Sequence, residues 1–191
     1  MKTLITLTFL ILISYTTSQY NRRKAVNYAF KYLKTPNHKC GSGSRACTPY
    51  GYFGKDACGY PGDGGDCANF VSQCLVESGH PKLTGGQEYC RGYPCGKEEV
   101  GALKLDQCLH NTHKWERTCG NMLKPPKNIK VGDVAVFYSA GCQSGDAHAT
   151  IVTAINGNDV RLSSHSPHVK NVAYTYFTKS KKYISWLHYT K

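Results

Sequence analysis

The hydrophobic pattern of this chain changes from a helical to a strand period at about residue 131. Before that point, five apolar residues recur at the spacing of one buried helix face and predict a helix over 66–78: Cys67, Phe70, Val71, Cys74 and Leu75. A first helix is predicted over 22–34, with Asn21 as its N-cap. After that point, β-branched runs separated by turns predict five strands, over 133–138, 148–155, 160–164, 172–177 and 183–188. Helices followed by antiparallel strands predict an α+β domain.

The first eighteen residues have the pattern of a secretory signal. Lys2 precedes an apolar run over 4–13, and small residues follow at 16–18. The run is too short to span a bilayer comfortably, so no integral membrane anchor is predicted. We expect residues 19–191 to form one domain that is secreted, either extracellular or in the lumen of a secretory or phagocytic compartment.

The ten cysteines of an exported chain indicate disulfides. Cys74 lies two helical turns beyond Cys67, about 10 Å along the helix axis, whereas disulfide partners need Cα atoms within about 7 Å. Those two therefore do not bond to each other, and Cys74 is predicted to be a buried thiol on the apolar face. Eight candidates for disulfides remain, with their pairing open: Cys40, Cys47, Cys58, Cys90, Cys95, Cys108, Cys119 and Cys142. The alternative is that Cys67 is itself bridged.

Residues 80–130 carry few apolar residues and four of these cysteines, with a weak helical pattern around 98–109. This composition predicts a cysteine-rich insertion or lid within the domain. A metal site is not predicted, because the sequence has no C-x-x-C pair and no second ligand pair at a suitable distance from His110 and His113.

Cys67 stands at the first turn of the predicted second helix, behind Gly64 and Gly65. The helix dipole and the unpaired backbone amides at a helix start favour the thiolate, which is the nucleophilic form. His148 begins a strand about eighty residues later. A cysteine and a histidine on separate elements are the pair that a thiol hydrolase needs. We expect Cys67 to attack a carbonyl carbon and His148 to act as general base and then acid.

Four blocks occur in the same order as in a known family: Tyr20-Asn21-Arg22, the stretch GGDCANFVSQCL over 64–75, Val131-Gly132-Asp133-Val134, and His148-Ala149-Thr150-Ile151-Val152. Together they resemble the putative amidase domain family, which is similar to the papain-like superfamily of NlpC-type and CHAP-type peptidoglycan amidases and endopeptidases. The resemblance covers most of residues 19–191 and leaves the cysteine-rich middle as the divergent part. It implies a papain-like fold, with a nucleophile at a helix start packed on an antiparallel sheet and no cofactor.

The resemblance also implies a third polar group on the strand after the histidine strand. His165 is the predicted residue, and His168 and the hydroxyls of Ser164 and Ser166 are alternatives. Asp146 is predicted to be an exposed loop carboxylate.

An oxyanion site is expected at the start of the second helix. The Cys67 backbone amide would be its first donor. Tyr60 is the predicted side-chain donor, with Tyr52 as a competitor, and Asp66 is the predicted N-cap beside the nucleophile.

These patterns predict a monomeric secreted cysteine amidase or endopeptidase of Cys-His-His type that acts through a thioester. The formal charge of +12 suits an anionic partner such as a bacterial cell wall, and the chain has no nucleic-acid-binding motif. The resemblance to wall hydrolases implies peptidoglycan stem peptides as the substrate, and with them an expected antibacterial role. One alternative is a non-catalytic, basic, disulfide-rich protein for wall binding or defence. Another is a papain-like hydrolase that acts on a different acyl or amide substrate.

Overall fold

The computed structural model describes residues 19–34, 67–81, 101–165 and 167–191. The helices are α1 (Arg22–Tyr32), α2 (Cys67–Glu77) and α3 (Ala102–Gln107), which continues into a π-helical turn (Cys108–Thr112). The strands are β1 (Glu116–Asn121), β2 (Val134–Tyr138), β3 (Ala147–Asn156), β4 (Asp159–Ser164), β5 (Val169–Ala173) and β6 (Tyr183–His188). A 3₁₀ helix (Tyr174–Lys179) connects β5 to β6.

Several predictions fall outside the described residues. They are the signal segment 1–18, the site residues Tyr52, Tyr60, Asp66 and Ser166, and the cysteines Cys40, Cys47, Cys58, Cys90 and Cys95. In the part of the chain that the structure describes, no helix is long and apolar enough to cross a membrane.

The six strands form one antiparallel sheet in the order β1-β6-β2-β3-β4-β5. This confirms the predicted α+β class. The predicted strand over 172–177 is wrong after its first two residues, because the chain leaves the sheet after Ala173 and forms the 3₁₀ helix. That helix places Phe177 against the sheet, with its ring centroid 5.0 Å from that of Phe137. The edge strand β1 was not predicted, since Glu116–Asn121 lacks an alternating apolar pattern.

Each face of the sheet has its own core. The helix-side core lies between the sheet and the helices, and includes Phe70, Leu75, Leu105, Val136 and Ile151. The far-side core lies on the opposite face, and includes Phe137, Val152, Leu162, Phe177 and Trp186. Successive strand residues point to opposite faces, so every residue of β2 is buried, in one core or the other.

Residues 101–130, which with 80–81 are the described part of the predicted insertion or lid, contribute to the main sheet and the main core. Leu105 and Trp115 lie in the helix-side core, and β1 pairs with β6 along its whole length. Cys119 of β1 forms a disulfide with Cys142 in the loop between β2 and β3. Cys108 is also disulfide-bonded. A disulfide-rich domain stays a prediction, because the described residues hold both partners of one disulfide.

The Asp133 carboxylate joins the start of α1 to the sheet. It is fully buried and accepts hydrogen bonds from the Arg22 guanidinium, from the Lys130 amide at 2.6 Å and from the Tyr189 amide at 3.2 Å. His188 Nδ1 lies 2.7 Å from its Oδ2. These partners offset the desolvation cost of burying the carboxylate. Removal of the carboxylate would therefore strongly destabilise the folded domain.

Position 132 requires glycine, both because of its backbone conformation and because of the atoms packed against it. Its φ is +88°, and an added Cβ would lie 2.9 Å from Arg22 Cβ and 3.0 Å from the Tyr20 hydroxyl oxygen. We expect Gly132→Ala to lower the free energy of unfolding by about 3 kcal/mol, from left-handed strain plus overpacking. Gly157→Ala is the matched control, since Gly157 has a φ of +58° with nothing near its Cβ position. Urea unfolding should show a loss of only about 1 kcal/mol at Gly157. Equal losses at both glycines would contradict the packing argument.

Candidate active site

The start of α2, the start of β3 and the end of β4 lie at one end of the sheet. The Asn21 amide donates to Ser78 O at 2.8 Å, so the start of α1 lies beside the end of α2. The two helices are therefore antiparallel, and the end of α1 lies beside the start of α2. Helix α2 packs on β3 and β4, and β4 ends where β3 begins. Cys67, His148 and His165 are thus gathered at the same end of the domain.

Cys67 is the first residue that the structure describes in α2, and the sequence predicts it in the first turn of that helix. It is buried, with 6% of its surface exposed, and it is not in a disulfide. The other thiol of the helix, Cys74, is also outside any disulfide, and burial raises the pKa of the Cys74 thiol well above its usual value. Cys74 is therefore an unreactive core residue, whereas Cys67 lies in the first turn of α2, where backbone amides have no partner within the helix.

His165 lies on the same side of the sheet as α2. Its ring stacks on Phe70, one helical turn after Cys67, with centroids 3.9 Å apart and an interplanar angle of 17°. Its Nε2 is 3.1 Å from Tyr32 O at the end of α1. Because a carbonyl only accepts, Nε2 is the donor in this hydrogen bond.

His148 points to the other face of the sheet. It pairs with Phe137 across β2 and β3, and its ring lies 4.9 Å from that of Phe177, so it belongs with the far-side core. Its Nε2 is 3.0 Å from Ser164 Oγ, and that hydroxyl donates to Pro167 O at 3.2 Å. Since the hydroxyl has one proton, we infer that His148 donates from Nε2 to Ser164.

A β-bulge explains why the two histidines face opposite ways. The pairing of Ile155 with Val160, continued along both strands, would place His165 opposite Thr150 and on the same face as His148. The register shifts between Val152 and Ala154, which moves His165 opposite Ala149 instead. A shift of one residue reverses the face of every side chain beyond it.

The sequence predicts that the His165 side chain contacts His148, whereas in the structure each of the two histidines contacts other residues. His165 contacts α1 and α2, and Ser164, an alternative to His165, contacts His148. Asp146 is exposed, and its carbonyl accepts from Lys181 Nζ at 3.2 Å. The Phe70 ring was not predicted to contact a site residue, although its position three residues after Cys67 on the same helix face is the signal for it.

Two buried polar groups near this end of the sheet also went unpredicted. Tyr28 of α1 donates to Gln73 Oε1 at 3.0 Å, and Gln73 in turn donates to Asn69 in the first turn of α2. Tyr138, at the end of β2, donates to the fully buried Asp106 carboxylate at 2.7 Å. The first set of bonds joins α1 to α2, and the second joins the end of β2 to α3. Among the described residues, we find no group of three or more His, Cys, Asp or Glu side chains that could hold a metal ion.

His148 gives the domain a predicted sensitivity to acid. Burial, with a smaller effect of the Lys181 charge, lowers the pKa of His148 to about 4. The unfolded histidine has a pKa of about 6.5, so the unfolded chain binds more protons between these values. We expect the free energy of unfolding to fall by about 3 kcal/mol from this residue as the pH drops from about 6.5 to 4.

The His148 prediction is checked by proton NMR of the ring and by urea unfolding at several pH values. Burial also lowers the pKa of His80 to about 4 and lowers the pKa of His113, so the wild-type curve contains all three residues. His148→Gln should remove the part of the pH-dependent loss of unfolding free energy that comes from His148, and leave the part that comes from His80 and His113. A ring midpoint near 6.5, or an unchanged pH slope in His148→Gln, would contradict the prediction.

A comparison with protein families decides the family of this chain. The family described as Putative amidase domain matches residues 19–188. The chain belongs to that family. Its membership supports an amidase-type hydrolase, that is, an enzyme that hydrolyses amide bonds. No curated protein matched the chain.

Proposed function

We propose that this amidase-family protein is a secreted cysteine hydrolase of papain-like type, and that it cleaves amide bonds in peptidoglycan stem peptides. The observation that carries the proposal is the position of Cys67, a buried cysteine outside any disulfide at the first residue of α2. The family match supplies the amide bond as the target. The substrate rests on the resemblance to wall hydrolases and on the formal charge of +12.

The proposed reaction has two steps. The Cys67 thiolate attacks the amide carbon, and the negative charge on the carbonyl oxygen is stabilised by the Cys67 backbone amide and by Tyr60. The C–N bond then breaks, the amine leaves with a proton from an imidazolium, and a thioester remains on Cys67. Water, deprotonated by the same imidazole, attacks the thioester and releases the carboxylic acid and the thiol.

Two imidazoles are candidates for the base. The order of the sequence motifs predicts His148, with His165 as the group that orients it. The structure favours His165, because its ring lies on the α2 side and stacks one turn from Cys67. His148 would have to leave Ser164 and Phe177 to reach a thiol on that side.

The variants His148→Gln and His165→Gln separate the two assignments. Loss of the base should lower kcat by about 10²- to 10⁴-fold and remove the acidic limb of the kcat/KM profile. The other variant should keep that limb at a reduced rate. If both variants keep the limb and the wild-type rate, neither histidine is the base.

The proposed substrate is tested with purified bacterial peptidoglycan. We expect the protein lacking residues 1–18 to release fragments whose masses identify the cleaved amide bond. Release of a new amine and a new carboxylate in equal amounts would support hydrolysis. An intact wall, together with cleavage of another acyl amide, would move the proposal to a different substrate.

The rival, non-catalytic function requires an unreactive or bridged Cys67. A thiol-specific alkylating reagent at mild pH, followed by peptide mapping, is the direct test. Labelling of Cys67 ahead of Cys74 supports the hydrolase. No labelling of Cys67 in the folded protein, and no turnover, would favour a binding protein.

A further inference from the structure

The end of α1 and the start of β5 form one continuous surface beside His165. Lys170 of β5 places its Nζ 4.9 Å from the centre of the Phe30 ring on α1. On the same helix, Tyr32 O lies 3.1 Å from His165 Nε2. The exposed His168 ring is 4.7 Å from the His165 ring. We call this surface the basic rim, defined by Phe30, Lys31, Tyr32, Lys34 and Lys170.

The basic rim is cationic and carries no compensating carboxylate of its own. Lys31, Lys34 and Lys170 are all exposed, and residues 19–34 and 160–173 contain no Asp or Glu. Within the described ranges, none of the three lysines makes an ion pair. Their charges are therefore not neutralised by a neighbour in the part of the fold that the structure describes.

Aromatic rings hold two of these lysines in place. Lys31 Nζ lies 4.9 Å from the centre of the Tyr32 ring, and Lys170 has the same distance to Phe30. Both rings are half-buried. A cation over an aromatic face is positioned without losing its charge, so each ammonium can still bind an anion.

We propose that the basic rim binds carboxylates of the substrate polymer and thereby holds the scissile amide at the α2 start. This inference rests on the proposed function and extends it to a residue-level substrate site. Charge complementarity selects the partner, because the free carboxylates of peptidoglycan stem peptides recur along an insoluble strand. The rim contacts His165 through Tyr32 O, and His165 stacks on Phe70 of α2, the helix that carries Cys67.

The test uses two double variants of equal charge. Lys31→Gln with Lys170→Gln removes two charges from the rim. Lys124→Gln with Lys127→Gln is the matched control, since both lysines are exposed and lie in the loop after β1, at the opposite edge of the sheet from β5. Binding is measured by co-sedimentation with insoluble peptidoglycan freed of attached polymers, in the Cys67→Ala background so that nothing is cleaved.

We expect the rim variant to bind about five- to tenfold more weakly at low salt, and the control less than about twofold more weakly. On peptidoglycan whose carboxyl groups have been converted to amides, the two variants should bind equally. Equal binding on unmodified wall overturns the proposal. Carboxylate recognition is overturned if the rim variant still binds amidated wall more weakly than the control variant does. It is also overturned if the rim substitutions weaken binding to double-stranded DNA more than binding to wall.

The binding assay tests the rim proposal, and the turnover assay tests the hydrolase proposal, so the failure of one can be told from the failure of the other. If the Cys67-containing protein cleaves no amide but the rim variant binds wall more weakly than the control, the hydrolase proposal fails, and of the rim proposal only the binding of wall carboxylates stands. If wall is cleaved and the two variants bind alike, the hydrolase stands and the rim proposal fails. Thermal unfolding of both variants confirms that each is folded before binding is compared.

Discussion

Cys67→Ala is expected to lower kcat/KM for amide hydrolysis by roughly 10⁴-fold or more, because the proposed mechanism forms its thioester on the Cys67 sulfur. The side chain is small, so we expect the free energy of unfolding to change by about 1 kcal/mol or less. Hydrolysis is measured by fragment release from peptidoglycan, and folding by urea unfolding.

Cys74→Ala is the matched control for the nucleophile. It removes the second reduced thiol of α2 from a fully buried position seven residues away. Its kcat/KM should stay within about threefold of the wild type, because the buried Cys74 thiol does not take part in the reaction. Wild-type turnover in Cys67→Ala, or an equal loss in both variants, would contradict a role for Cys67 in the chemistry.

Asp133→Asn is expected to lower the free energy of unfolding by about 3–5 kcal/mol, because it leaves a cationic guanidinium without its buried partner. The Arg22 guanidinium, His188 Nδ1 and two backbone amides all converge on this carboxylate. The loss should appear as a lower urea midpoint with an unchanged slope.

Asp159→Asn is the control for the buried carboxylate. Asp159 pairs with Arg161 at 2.7 Å, but both side chains are more than 40% exposed. Solvent screens such a pair, so the expected loss is about 1 kcal/mol or less. Equal losses at Asp133 and Asp159 would show that burial of the carboxylate does not decide its contribution. Asp133 lies at the far end of β2 from the start of β3, so kcat of the folded Asp133→Asn variant should be unchanged.

The local elements that the sequence predicts best are those with strong periodicity. Helix α2 is observed over Cys67–Glu77 against the predicted 66–78, and β6 over Tyr183–His188 as predicted. Elements with weak periodicity were missed. The polar strand β1 becomes a strand through its pairing with β6, and residues after Ala173 leave the sheet because Phe177 packs beneath it. Tertiary pairing overrides local propensity in both cases.

Some features of the candidate site could likewise be predicted from local sequence, and others depend on the tertiary structure. The helix start at Cys67 is a local property, so the sequence alone indicates the proposed nucleophile, and the family match supports the amidase class. The roles of His148 and His165 depend on which face of the sheet each side chain occupies. That choice depends on the bulge near Thr153, which no local pattern specifies.

The sequence by itself determined the helix-then-strand order, the cysteine at the start of α2 and the strands that carry the two histidines. These features follow from side-chain period and capping within a few residues. Only the tertiary structure decided that His165 stacks on Phe70, that His148 contacts Ser164, and that Lys170 lies over Phe30 to complete the basic rim. Those contacts join residues far apart in the chain, so strand register and helix packing set them.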